Sequence, residues 1–432
     1  MAHLLIIELP GGNDADIIQS AVDRGDEFTF LSADLGHYRS QPGIAGLIAK
    51  AREQIETPAF AYEDVEGRIL SAHARNPFDA VLCLIDTRLI EAARLARRLG
   101  LRFLNPESAE LLRDKFEVRR RLSLRGIRQP PFKLAESNQS LREAVERLGL
   151  PVLIKPCDGY GSQNIVALRF PEDLDPLMSP LEGFLPSRVD YGLGAKANDR
   201  LLVERFLTGQ VVGCDTLTEN GMHRLLGVNE KIFFDPPSFA IRGGCFTPNG
   251  PRFESIERYV FSILDAVGFD WGAAHTELIL TDKGPFLIEI NPRLVGAKIP
   301  RLIGLALDRS LHADLIALHA GEAPARAPQA LGRVAVTRWV VAGSAGVLDR
   351  VHLASSSDPR IRSVEILKHP GDPVRIPMEN SDRIGYVMVC DSERAAAEEL
   401  AERFVSQTHC QLATSPQSAG YISSVLPPDG TP

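Results

Sequence analysis

Residues 275–293 read HTELILTDKGPFLIEINPR. Two apolar runs, each interrupted by a glutamate, flank Asp282-Lys283-Gly284. A three-residue hairpin loop favours a left-handed third residue, and glycine takes that conformation without a Cβ penalty. This register pairs Thr281 with Pro285 and therefore Glu277 with Glu289. Side chains alternate between the two faces of a strand. His275, Glu277, Glu289 and Asn291 then share one face. Leu278, Leu280, Phe286, Ile288 and Ile290 form the other, an apolar backing for a core. Pro285 cannot donate a ladder hydrogen bond, which loosens the register beside the turn.

Two facing carboxylates repel unless a cation or a proton lies between them. Two glutamates and an amide oxygen make a hard, oxygen-only donor set. It suits magnesium, with phosphates and waters completing the octahedron. An edge hairpin whose acids face water fits the same letters. Arg293, directly after the strand, favours the cluster, because a guanidinium beside a metal site suits a phosphate or a developing anion.

The surrounding chain is large and ordinary in composition. It has 432 residues, 44% hydrophobic and 24% charged, with a formal net charge of -8. That length exceeds one hydrophobic core, so two to four packed units are expected. No long basic run appears, which argues against nucleic acid as a partner. Arg119-Arg120-Arg121 lies in a helical pattern and reads as a solvated face. The six cysteines are far apart and form no CxxC pair, which argues against a zinc site or a disulfide framework. The opening MAHLLIIELP lacks a basic leader and reads as a first buried strand. No apolar run approaches membrane length. A cytoplasmic setting is the expectation.

The front alternates strand and helix. HLLIIEL and FTFLSAD read as strands, and DADIIQSAVDRG as a helix capped by Asn13 or Asp14. AVLCLID (80–86) is a further strand. TRLIEAARLARRLG follows as a helix, with Thr87 as its cap and Gly100 as its stop. Such alternation predicts a parallel sheet covered on both faces. Gly11 and Gly12 do not complete GxGxxG, so a dinucleotide site is weakly supported. SAELLRDKFEVRRRLSLRG and SLREAVERLG read as helices. Residues 151–295 are mostly strand-like pieces with glycine turns, and 299–321 returns to helix. GEAPARAPQALG is a connector. RVAVTRWVVA and RIGYVMVC are strands, and SERAAAEELAERFVSQT is a helix with Ser392 as cap.

Two upstream stretches carry possible chemistry. PVLIKPCDGYGSQNIVAL is strand, glycine loop, strand, and does not run into a helix as a P-loop or dinucleotide loop would. Its backbone N–H groups can still fold over phosphates, with Lys155 as a point charge. An ordinary hairpin with a surface lysine is the plainer alternative. In LLVERFLTG (201–209), Glu204 ends an apolar strand. It can offer a carboxylate and backbone groups to an adenine edge, or simply end the strand in a salt bridge.

Lys115 in RDKFEVRRRLSLRGI, Lys155 in LIKP, the loop DGYGSQNI, Glu204 in VERFL, then HTELIL and IEINPR follow in one order. Together they resemble the ATP-grasp superfamily of carboxylate–amine ligases, over nearly the whole chain. GAAHTE followed by IEINPRLVG is similar to the branch that joins amino acids, the L-amino-acid ligases and dapdiamide-type synthetases. The resemblance implies an α/β chain with the ATP-grasp fold. An N-terminal Rossmann-like (pre-ATP-grasp) domain would span 1–105. A small lobe with the glycine loop would span 106–205, and a large lobe with the metal site 206–325. A C-terminal α+β portion would span 326–432.

The resemblance also implies roles. Lys115 and Lys155 would contact ATP phosphates, under a closing loop that includes Gly159, Gly161 and Ser162. Glu204 would accept from the adenine amino group, and the Phe206–Leu207 backbone would read the ring edge. Lys231 would face phosphate. Glu277, Glu289 and Asn291 would hold Mg2+, with Mn2+ as an alternative. Arg293 would stabilise an acyl phosphate and the tetrahedral state. His275 would line the acceptor pocket, or else be a hydrogen-bonded structural histidine. The acid that binds ribose in many relatives is replaced by Val211, which leaves Asp215 as the ribose candidate. Arg242 stands where amino-acid ligases often show an acid. The implied partners are small amino-acid or carboxylic-acid substrates, with no membrane and, by analogy, a homodimer. Another ATP-grasp ligase, acting on a purine-pathway amine or bicarbonate, stays open. So does an ATP-binding regulator without turnover.

Overall fold

The computed structural model describes residues 1–12, 14–159, 165–173, 200–235, 240–322 and 331–413. They form two compact units. The larger takes Met1–Lys231, Gly244–Ala335 and Cys390–Arg394, within those limits. The smaller takes Ile232–Gly243, Val336–Val389 and the described part of Ala395–Pro432.

The larger unit opens with a parallel sheet in the order Glu53–Glu56, Glu27–Ser32, His3–Ile7, Ala80–Cys83. Leu5 pairs with Thr29 on one side and Val81 on the other. The runs HLLII and AVLC are buried throughout, as strands covered on both faces require. Helices Asp16–Arg24, Tyr62–Arg75 and Leu89–Leu99 pack their apolar stripes against this layer, where Leu5, Ile7, Val65, Ile69 and Leu95 share a core. Gly25 and Gly100 end two of these helices in the left-handed conformation.

The expected caps shift. The first helix starts at Asp16 with Ala15 at the cap, and Asp14 instead accepts the Asp16 N–H at 3.2 Å. Asn13 lies outside the described residues. Thr87 sits inside a 3-10 turn, Asp86–Arg88, and its buried hydroxyl has no partner.

The helical stretch after residue 105 is two helices, Pro106–Leu112 and Lys115–Leu124. Asp114 separates them by capping the second, accepting from Phe116 N–H at 2.9 Å and Glu117 N–H at 3.1 Å. Helix Asn138–Leu148 covers an antiparallel sheet ordered Phe132–Ala135, Leu201–Arg205, Val152–Pro156, Val166–Leu168. A second antiparallel set runs Gly284–Asn291, Gly272–Thr281, Gln210–Glu219, Met222–Phe233. Its apolar face packs Leu278, Leu287 and Ile290 against helix Glu254–Ala266 through Val260, Ile263 and Leu264.

The helix expected over 299–321 is also divided, into Ile299–Leu307 and Leu311–Ala320. Asp308 is left-handed (φ 56°), and Ser310 caps the second helix by accepting the Ala313 N–H at 3.2 Å. Residues 323–330 of the connector lie outside the described residues. The smaller unit holds most of strand Gly385–Asp391, strand Ile361–Ile366, a three-stranded sheet ordered Pro373–Val374, Gly346–His352, His409–Leu412, and all but the first residue of helix Arg394–Ser406. Among the described residues, no helix is long and apolar enough to cross a membrane. All six cysteines are free thiols, five of them buried.

Candidate active site

Glu277 and Glu289 are direct register partners, as are His275 and Asn291. The path to that register differs from the expected one. The turn is one residue shorter, because Thr281 pairs with Gly284 and Leu280 with Pro285. A β-bulge then inserts Ile288 between the pairs Leu278–Leu287 and Glu277–Glu289. The two changes cancel at the glutamates. They do not cancel on the core side, where Leu287 is fully buried and Ile288 is only half-buried. Gly284 keeps its positive φ of 102°.

Each glutamate faces an ammonium group. Lys231 Nζ lies 2.6 Å from Glu277 Oε1, and Lys115 Nζ lies 3.5 Å from Glu289 Oε2. Asn291 gives its amide N–H to Glu289 Oε1 at 3.2 Å. Burial pushes the Glu277 carboxyl up, but Lys231 and His275 outweigh it and hold Glu277 well below the ordinary carboxylate range. Among the described residues, no group of three or more His, Cys, Asp and Glu forms a metal cage. Two carboxylates and an amide thus come together, with Lys231 and Lys115 against the acids. That donor set fits a divalent hard cation.

His275 and Asp215 are turned towards each other. His275 Nδ1 is 2.9 Å from Asp215 Oδ1, and both residues are buried. Burial alone would lower the imidazole, yet the Asp215 carboxylate outweighs it and His275 is pushed up to about 9. This contact matches the hydrogen-bonded arrangement that was the alternative expectation for His275.

Arg119 is 2% exposed, which corrects the expectation of a solvated face. Only Arg120 and Arg121 are exposed. The Arg119 guanidinium donates to Glu204, to Leu287 O at 2.8 Å and to Ile288 O at 2.9 Å. Lys155 Nζ donates to Glu204 Oε2 at 2.7 Å and to the same Ile288 carbonyl at 3.1 Å. The bulge thus turns a backbone carbonyl towards two buried cations. Burial would raise the Glu204 carboxyl, but Arg119 and Lys155 hold it below its ordinary value. Burial lowers the Lys155 ammonium, against the pull of Glu204.

The other expected residues fall around this core. Lys115 donates to the Gly159 carbonyl at the start of the glycine loop. Gly161 and Ser162 lie outside the described residues. The Phe206 N–H is taken by Pro151 O at 3.0 Å and so does not serve a base. Gln210 donates to Glu230 at 2.7 Å. Arg242 pairs with Glu402 at 2.5 Å. Arg293 donates to Asp86 Oδ2 from Nε at 2.9 Å and Nη2 at 2.5 Å. Burial would raise the Asp86 carboxyl, and the cations Arg293, Arg113 and Lys115 hold it low instead.

Asp86 and Arg119 escaped the sequence reading, although each carried a signal. Asp86 ends a predicted parallel strand, and open α/β sheets bind ligands beyond the carboxyl ends of their strands. Arg119 lies four residues after Lys115, on the same helix face. Two hollows among the described residues lie elsewhere. One of about 470 Å³ is lined by Arg102, Asp270 and Trp271, and it adjoins another beside Arg224 and Arg309.

Residues 148–300 match the model of the ATP-grasp domain, and residues 338–413 match that of the L-amino acid ligase C-terminal domain 2. Residues 148–300 thus carry an ATP-grasp domain. The chain is similar to L-amino acid ligases. It is 24% identical over 238 residues to the L-arginine-specific L-amino acid ligase of Bacillus subtilis, covering 54% of this chain and 56% of that protein. An uncharacterized protein of Sinorhizobium fredii is 28% identical over 321 residues, covering 72% of this chain and 64% of that one. The crystal structure of an L-amino acid ligase from Bacillus licheniformis superposes with a TM-score of 0.79 at 18% identity, over 96% of this chain and 99% of that one. That likeness shows the shared fold. The chain spans about half to two thirds of the length of the curated relatives it matches.

Proposed function

We propose that the protein is an ATP-dependent ligase. It would form an amide bond between an amino acid or related carboxylic acid and the amine of an amino acid, giving ADP and phosphate. The observation that carries this reading is the facing pair Glu277 and Glu289, with Lys231 and Lys115 against them.

Glu277, Glu289 and Asn291 would hold Mg2+, or Mn2+. Bound there, the ion would neutralise phosphate oxygens and lower the repulsion met by an incoming carboxylate. Lys115, Lys155, Lys231 and the N–H groups of Gly159, Gly161 and Ser162 would share the remaining phosphate charge. Glu204 already accepts from Arg119 and Lys155. A carboxylate has about four lone-pair sites, so it can accept an adenine amino group as well. The Phe206 carbonyl and Leu207 N–H complete that edge.

In the first step a carboxylate oxygen bonds to the terminal phosphorus, the bridging P–O bond breaks and ADP leaves. In the second, the amine nitrogen bonds to the acyl carbon, the C–O bond to phosphate breaks, and the amine gives up a proton. Arg293 would face the negative charge that develops on the acyl group. A loop closed over the site would keep water from the acyl phosphate.

The test is a phosphate-release screen over pairs of the twenty common L-amino acids with MgATP, with Glu289→Gln as the blank. At least one pair should release phosphate and ADP together and yield an amide identified by mass. Glu289→Gln should lose turnover while keeping its thermal unfolding profile. Wild-type release no greater than the blank over every pair would sink the reading.

A further inference from the structure

The His275 ring occupies a space that only a glycine leaves open. A Cβ on Gly213 would stand 2.5 Å from His275 Cε1. Gly213 is the register partner of Glu277, and Asp215 that of His275. The ring therefore lies over Gly213 with an acid on either side. Its Nδ1 meets Asp215 Oδ1 at 2.9 Å, and its Nε2 lies 3.3 Å from Glu277 Oε1. His275 is 2% exposed and Asp215 3%. Nε2 is buried and lies within ion-pair distance of the Glu277 oxygen that Lys231 also holds. Asp215 turns Oδ1 to the ring, and the ring turns Nε2 to Glu277.

We propose that His275, held by Asp215 and seated over Gly213, is a positioning residue that aims the Glu277 carboxylate at the divalent cation. This rests on the reading of Glu277 as a cation ligand. Groups that orient a metal-binding side chain change metal affinity by about 10–100-fold when removed.

The probe is Mn2+, followed by electron paramagnetic resonance in the presence of a non-hydrolysable ATP analogue. The variants are His275→Asn, Asp215→Asn, Gly213→Ala and Glu277→Gln. Gly213→Ala keeps every charge and displaces only the ring, and near-ultraviolet circular dichroism reports the fold of each variant. His275→Asn and Gly213→Ala should each weaken Mn2+ binding about tenfold. Metal-free affinity for the analogue should stay within about twofold. Mn2+ affinity unchanged in both, with Glu277→Gln abolishing it, would overturn the positioning role and leave the cation site standing. Mn2+ binding intact in Glu277→Gln would remove the cation reading of Glu277, and the positioning role with it.

Discussion

Asp86 and Arg293, 207 residues apart, share a two-pronged contact in which Nε and Nη2 both reach Asp86 Oδ2. The acid comes from the carboxyl end of the fourth parallel strand, and the base from just after the strand that carries Glu289 and Asn291. The side chains are 6% and 16% exposed, so water screens the pair little. Arg293 is thereby aimed from outside its own hairpin.

Asp86→Ala should destabilise the protein by about 3 kcal/mol, because it leaves a buried guanidinium without its counter-charge. Urea unfolding at neutral pH measures this. Asp86 is held below its unfolded value of about 3.9, so its stabilisation is present above that pH and is lost as pH falls through the lower folded value. The isosteric Asp86→Asn should accordingly show a shallower loss of stability below about pH 4 than the wild type. An unchanged acid limb would contradict the assignment.

Arg119 and Arg120 are neighbours with opposite expectations. Arg119→Met removes one of two cations from buried Glu204 and two donors from the bulged strand. The cost should be about 3–5 kcal/mol. Arg120 is exposed and pairs with Glu117 one turn back, so Arg120→Met should stay within about 0.5 kcal/mol of wild type. Equal urea midpoints for the two variants would contradict the buried role of Arg119.

Gly209 approaches the neighbouring strand closely, and a Cβ there would run into the Leu280 carbonyl oxygen. Backbone cannot rotate aside as a side chain can. Gly209→Ala should cost about 1–3 kcal/mol, read from the thermal or urea midpoint. A variant as stable as wild type would show that these strands can separate freely.

His319 is buried and donates its Nδ1–H to the Arg102 carbonyl at 3.1 Å. Burial holds it down at about 4. An unfolded histidine titrates near about 6.5, so stability is full above that pH and falls as pH drops from 6.5 towards 4. Between pH 7 and pH 5 the loss from this residue should be about 2 kcal/mol. Replacing His319 with Gln should flatten that part of the stability–pH curve, and an identical curve would refute the buried neutral state.

Some of the site was legible because period-two alternation is local. His275, Glu277, Glu289 and Asn291 share a strand face whatever the rest of the chain does. Even so, the face emerged through two compensating features, a shorter turn and a bulge at Ile288, that the letters did not reveal. Asp114 as a cap also lay in the local letters, yet the helical pattern on both sides of it masked the break.

What the sequence determined by itself was short-range order: alternating strands and helices, the hairpin, the two acids on one side of it, and the apolar backing behind them. Periodicity and turn chemistry act between residues a few positions apart, so they can be read along the chain. Only the tertiary structure decided that Arg119 is buried against Glu204, that Asp86 holds Arg293, and that His275 turns to Asp215 over Gly213. Those choices join residues about 60 to 200 positions apart. They depend on which charges find compensation once water is excluded, and that is settled by packing rather than by any local pattern.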